Sequence, residues 1–113
     1  MHEYPITQSI VNISVEEAEK NSAKKINEIR LKVGELTGLV PESLQLYFDI
    51  ISAGTLAEGA KLVIIKVPFK FTCQKCFTES EVKGGIHKCP NCQSDDIKIT
   101  GGNEYMIESL EVE

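Results

Sequence analysis

Cysteine is absent from this sequence except between residues 73 and 92, where all four fall. An extracellular disulfide scaffold would be far richer in cysteine and would carry an export signal. No such signal is visible, because Glu3 and Pro5 interrupt any apolar region near the start. A membrane-spanning run is also missing: the longest fully apolar stretch is LVII, Leu62 to Ile65. Nor is there a basic surplus. Twelve Lys and Arg stand against 17 Asp and Glu, a net charge of −5 that argues against binding a phosphate backbone. No internal repeat exceeds a doubled cysteine motif, and there is no low-complexity tract. These absences lead us to expect a soluble, cytoplasmic protein with no membrane and no nucleic-acid partner.

What is present fits one small domain with an insert. At 113 residues the chain buries roughly two-thirds of its extended surface, so the core is modest and extra staples would help. From Tyr4 to about Asn21 the pattern is helical, with Ile6, Ile10 and Ile13 on one stripe and Val11, Val15 and Ala18 on a second beside it. From Ile26 the period becomes two: Ile29, Leu31 and Val33 alternate with Arg30 and Lys32, a half-buried strand ending at Gly34. TGLVPESLQLYFDIISAG restarts a helix, with Pro41 and Glu42 in its first turn, Gly54 as its stop, and Leu44, Phe48 and Ile51 facing inward. AKLVIIKVPFKF, bounded by Gly59 and Pro68, reads as a strand. NEYMIESLEVE reads as a last strand whose phase slips near Ser109, where a bulge would explain the slip. The expected fold class is α+β: a three-stranded sheet with two helices on one face, plus an inserted cysteine-bearing module. The boundaries place residues 1–69 with 102–113 in the first domain and 70–101 in the second.

The insert reads CQKCFTESEVKGGIHKCPNC. Cys73-x2-Cys76 and Cys89-x2-Cys92 are separated by twelve residues, and each hairpin lets two sulfurs converge on one ion. Two such knuckles complete a tetrahedral four-sulfur shell, which suits Zn²⁺ and makes a zinc-ribbon module. Gly84–Gly85 can turn the second knuckle towards the first. A closed shell has no open coordination position, so the metal is structural, and its binding doubles as folding energy for a module too small for a core of its own. An iron–sulfur electron carrier of rubredoxin type uses similar knuckles and is a weaker alternative. Surface thiol pairs or disulfides are a third. His87, two residues before Cys89, reads as a solvated turn residue or as an additional metal ligand.

The chain opens MHEY. The simple reading is a solvated end before the first helix. A second reading is chemical. The α-amine of Met1, the amide nitrogen and imidazole of His2, and the amide of Glu3 can close fused chelate rings in one plane. Square-planar nitrogen ligation selects Ni²⁺ or Cu²⁺ over Zn²⁺. Methionine is expected to stay in place, because its removal requires a small second residue. Elsewhere Glu16, Glu17 and Glu19 read as the wet face of the first helix, and Tyr4, Tyr47 and Phe48 as packing. No nucleophile motif accompanies Glu35 and Asp49, so no catalytic residue is expected.

Taken together, MHE before a helix, GELTG after a strand, GTLAEGAKL, and CxxC…CPNC before SLEVE resemble the HypA/HybF family across essentially the whole chain. The family consists of nickel metallochaperones for maturation of [NiFe]-hydrogenase. The resemblance implies a nickel site at Met1, His2 and Glu3, and structural zinc at Cys73, Cys76, Cys89 and Cys92. It also implies a HypB-type nickel GTPase and the hydrogenase large subunit as partners, with urease as a further recipient in some organisms. The expected form is a monomer or weak homodimer without enzymatic activity. Some members carry a histidine just after the cysteine pairs, where Phe77 and Gln93 stand here. The competing reading is a zinc-ribbon adaptor or nucleic-acid-binding module with no nickel function.

Overall fold

The computed structural model describes residues 3–82 and 88–113. Met1, His2, Gly84, Gly85 and His87 lie outside the described residues. In chain order the elements are α1 (Glu3–Lys20), β1 (Ile26–Gly34), a 3-10 turn (Glu35–Thr37), α2 (Pro41–Ile51), β2 (Lys61–Val67), β3 (Phe69–Cys73), β4 (Glu79–Val82), β5 (Ile97–Gly101) and β6 (Tyr105–Val112). They make two three-stranded sheets, one ordered β2-β1-β6 and the other β4-β3-β5. The chain divides into two compact units. The first takes in the residues up to Lys32, Leu39–Ile65 and Met106–Glu113; the second takes in Val33–Gly38 and Lys66–Tyr105.

The first unit follows from the apolar periods. Ile29, Leu31 and Val33 of β1 are buried while Arg30 and Lys32 are partly exposed, so the strand offers one apolar face. On the polar side Glu108 of β6 meets Arg30 Nε at 3.6 Å and Lys32 Nζ at 3.7 Å. These partly exposed pairs contribute a few tenths of a kcal/mol at most, and their use is to hold register. Lys25 and Glu113 exchange both backbone hydrogen bonds, at 3.3 and 3.0 Å, the closed pair of an antiparallel ladder between β1 and β6. Leu44 and Phe48 of α2 are fully buried, as are Ile10, Val11 and Ala18 of α1. The two helices meet through an edge-to-face contact of Tyr4 and Tyr47, with ring centroids 5.4 Å apart.

Two expectations need correction. Ile13 was expected on the inward stripe of α1 but is 53 % exposed; the buried line runs through Thr7, Ile10, Val11, Ser14 and Ala18. Two small polar residues therefore occupy the packed side of the helix. Thr7 Oγ1 is satisfied by donating to the Glu3 carbonyl at 2.6 Å, whereas Ser14 Oγ has no hydrogen-bond partner among the described residues. Secondly, AKLVIIKVPFKF is two strands rather than one. Pro68 has no N–H to give a ladder, and the chain leaves the first sheet there and enters the second. Along β6 only Ile107 and Leu110 are partly buried, a spacing of three, so the phase slip expected near Ser109 is present in the exposure pattern.

In the second unit β3 is central and pairs antiparallel with β4 on one side and β5 on the other, with an irregularity between Lys70 and Phe71 on the β5 side. Its apolar interior is small. Among the described residues it comprises Val33, Phe69 and Phe71, the two rings edge to face at 5.8 Å, with Cys73 and Cys89. The residues Gly34–Gly38 belong to this unit and are tied to its far end: Gly34 N–H donates to the Glu104 carbonyl at 2.7 Å and Leu36 N–H to the Gly102 carbonyl at 2.6 Å. A Cβ on Gly34 would overlap the Gly102 carbonyl, so only glycine permits this approach.

Removing the orphaned hydroxyl in α1 is expected to help. Ser14→Ala should raise unfolding stability by about 1 kcal/mol, read as a higher midpoint in denaturant, because a buried unsatisfied group disappears and a better helix former replaces it.

Candidate metal centre

The two Cys-x2-Cys segments have the same backbone. In the first, Cys73 N–H donates to the Thr78 carbonyl at 2.9 Å and Phe77 N–H to the Cys73 carbonyl at 3.0 Å. In the second, Cys89 N–H donates to the Ser94 carbonyl at 2.8 Å and Gln93 N–H to the Cys89 carbonyl at 2.8 Å. Phe77 and Gln93, each following the second cysteine of its pair, both have φ of +60°. That left-handed residue turns the chain sharply enough to bring both sulfurs to one side. The first knuckle grows from the end of β3, and Gln74 N–H anchors it to the Asp96 carbonyl at 2.8 Å just before β5.

The four sulfurs predicted from the spacing come together. All lie within 4.8 Å of one another, with Cys73 Sγ to Cys92 Sγ at 3.5 Å and Cys76 Sγ to Cys89 Sγ at 3.6 Å. A tetrahedral Zn²⁺ with Zn–S bonds of about 2.3 Å sets sulfurs roughly 3.8 Å apart. The donor set and its separations therefore fit the ion. Cys73 and Cys89 are buried, Cys76 is partly exposed and Cys92 is exposed.

The surroundings divide the sulfurs by proton affinity. Cys73 is lowered from the usual thiol range, first by the Cys76 backbone N–H and then by that of Lys75, at 3.5 and 3.4 Å from its sulfur. Cys76 is held at about 5, first by the Thr78 side chain 3.1 Å away, then by the Thr78 backbone N–H and the Asn91 amide. At Cys92 the Ser94 backbone N–H lowers the value, but the Cys73 sulfur, burial and the other thiols outweigh it and push the thiol up to about 11. The hydrogen bonds at Cys76 thus favour its thiolate, whereas the surroundings of Cys92 favour the thiol.

Of the other sequence-predicted residues, Glu3 opens α1 and its carbonyl is fixed by Thr7 Oγ1. Met1, His2 and His87 fall outside the described residues. Asp49 accepts from Gln45 Nε2 at 2.9 Å on an exposed turn of α2 and has no nucleophile beside it among the described residues. Thr78 and Asn91 were missed from the sequence, although both shape the centre. For Thr78 the signal was legible: CQKCFT and CPNCQS are one repeated pattern, C-x-x-C-x-(Ser/Thr), longer than the cysteine pairs alone, whereas nothing in it marks Asn91.

A family model described as "Hydrogenase/urease nickel incorporation, metallochaperone, hypA" matches residues 1–112. Hydrogenase maturation factor HypA of Caldanaerobacter subterraneus is 44% identical over 114 residues, covering 100% of both chains. The protein of the same name from Geobacter sulfurreducens is 40% identical, again over 100% of both. The solution structure of the Ni metallochaperone HypA from Helicobacter pylori aligns with a TM-score of 0.72 at 28% identity, covering 99% of this chain and 97% of that one. No helix among the described residues is long and apolar enough to cross a membrane.

The left-handed turn residue of the first knuckle offers a test. Phe77 is 76 % exposed, so its ring gains little from burial while its backbone bears the cost of positive φ. Phe77→Asn, which tolerates that conformation better, should raise the thermal stability of the zinc-loaded protein by about 1 kcal/mol.

Proposed function

The chain belongs to the HypA family of hydrogenase/urease nickel-incorporation metallochaperones, and from that premise we propose that it takes up Ni²⁺ at its N-terminus and delivers it for the maturation of [NiFe]-hydrogenase. The end-to-end match carries the reading, since it includes the MHE opening together with both cysteine pairs. In this reading the unit containing α1 and α2 handles nickel, and the unit built on β3 is a zinc-ribbon module held by Cys73, Cys76, Cys89 and Cys92. The zinc supplies a fixed cross-link and no chemistry, because four protein sulfurs leave no position for a substrate.

Nickel is the cargo. The Met1 amine, the His2 amide and imidazole and the Glu3 amide offer four nitrogens in sequence, an arrangement that favours Ni²⁺ over Zn²⁺. The position suits it. α1 begins at Glu3, where the helix dipole presents partial positive charge and disfavours a bare cation. Two deprotonated amides cancel the ion's charge, so the chelate is neutral and compatible with the helix end. Such a site also binds reversibly: the amine and imidazole, with ordinary values of about 8 and 6.5, are proton competitors near neutrality, so nickel is lost as pH falls. We read the protein as a carrier without catalysis of its own. A HypB-type GTPase and the hydrogenase large subunit are the partners that fit this role, with urease as a further recipient.

Titration with Ni²⁺ tests the nickel site directly. His2→Ala and a variant with one residue added before Met1 should each weaken binding by more than about tenfold, or 1.4 kcal/mol; full affinity in both would remove the N-terminal site. Chelation tests the zinc assignment. Structural zinc in small modules is worth about 10 kcal/mol or more, so stripping it should collapse the amide dispersion of β3 to β5 in an NMR spectrum while α1 and α2 keep theirs.

A further inference from the structure

The two knuckles share a backbone and differ in how their side chains are used. Thr78 and Ser94 occupy equivalent positions, two after the second cysteine of each pair. Thr78 Oγ1 lies 3.1 Å from Cys76 Sγ, whereas Ser94 Oγ accepts from the Asp96 backbone N–H at 3.1 Å. Asn91 of the second knuckle corresponds in position to Lys75 of the first. Its amide nitrogen crosses to the opposite knuckle, 3.6 Å from Cys76 Sγ and 3.3 Å from Thr78 Oγ1. Cys76, Thr78 and Asn91 thus close a triangle of polar contacts that has no counterpart around Cys92 among the described residues.

We propose that Asn91 is a latch between the knuckles and that it makes Cys92 the sulfur at which the four-cysteine site opens. The inference rests on the reading that these cysteines hold zinc. Opening begins where a competing ligand or proton can reach a sulfur and where fewest bonds hold that sulfur in place. Cys73 and Cys89 are buried. Cys76 is partly exposed, but detaching it also breaks its contacts with Thr78 and Asn91. Cys92 is exposed, and its sulfur takes a hydrogen bond from the Ser94 backbone and contacts from thiols, with no other side-chain donor among the described residues. Asn91 and Cys92 are neighbours in sequence, so the latch holds the second knuckle against the first while its last sulfur swings out. Asn91 acts here as a positioning residue, through Cys76.

The experiment uses the full zinc-loaded chain, N-ethylmaleimide with mass mapping of adducts, and a chromophoric chelator to follow zinc release. In the unsubstituted protein the first adduct should fall on Cys92. Asn91→Ala should release zinc about 10- to 100-fold faster, the scale seen when outer partners of metal ligands are removed, and should label Cys76 alongside Cys92. Thr78→Val keeps the side-chain shape, loses the bridging hydroxyl and should move the same way, while Lys75→Ala should behave as the unsubstituted chain does. In Co²⁺-substituted protein, Asn91→Ala should shift the sulfur-to-cobalt charge-transfer band to lower energy, since a thiolate is losing a donor; a purely structural role would leave the band in place. Unchanged release rates in both Asn91→Ala and Thr78→Val, or a first adduct on Cys76, would overturn the latch alone. A chain that retains no zinc at one per molecule would overturn the zinc reading and the latch with it.

Discussion

Four sulfurs held within 4.8 Å of one another cannot all be thiolates unless a cation stands among them. The whole second unit is arranged around that constraint. Its apolar interior, among the described residues Val33, Phe69 and Phe71 with two of the cysteines, is too small to order three short strands by burial alone. The strands serve instead to bring the knuckles into register. β3 leads directly into Cys73, and the residue after Cys73 is tied to the segment just before β5. Charge and fold thus depend on each other, since the cation that permits four thiolates also supplies the cohesion that the interior lacks.

The first unit works by the opposite means. It is an ordinary apolar core between two helices and a strand, with partly or largely exposed ion pairs on the wet face of the sheet and along α1. Among the described residues its cohesion comes from apolar burial rather than from a cluster of metal ligands. In the proposed reading the two metals differ in chemistry: sulfur donors suit an ion that stays, and nitrogen donors suit one that is passed on.

Much of this was legible in the sequence because the relevant signals are local. The helix over α1, the alternation along β1, the start of α2 at Pro41 and the convergence of the four cysteines all follow from spacing alone. Whole-chain family resemblance came from motifs strung along the chain, and the end-to-end comparisons bear it out. What escaped depended on tertiary packing. The line through Thr7 and Ser14, rather than Ile13, faces inward on α1, a choice that hydrophobicity cannot rank because it is set by how closely the helix lies against its neighbours. The break at Pro68 was hidden because β-branched and aromatic residues continue on both sides of it. Asn91 was hidden because its partner lies thirteen residues away, on the other knuckle.

Gly102 has a consequence beyond its tight fit. Its α-carbon lies so near the Phe69 backbone that no side chain could stand between them, and its φ is +101°. The cysteine-bearing segment therefore leaves and returns at one point, with its ends pinched together. A loop whose ends are already closed adds little further ordering entropy to the host when its interior melts or is replaced. The segment is in effect a cassette. Its order can come and go with its ion while the residues on the near side of the pinch keep the same ends to join.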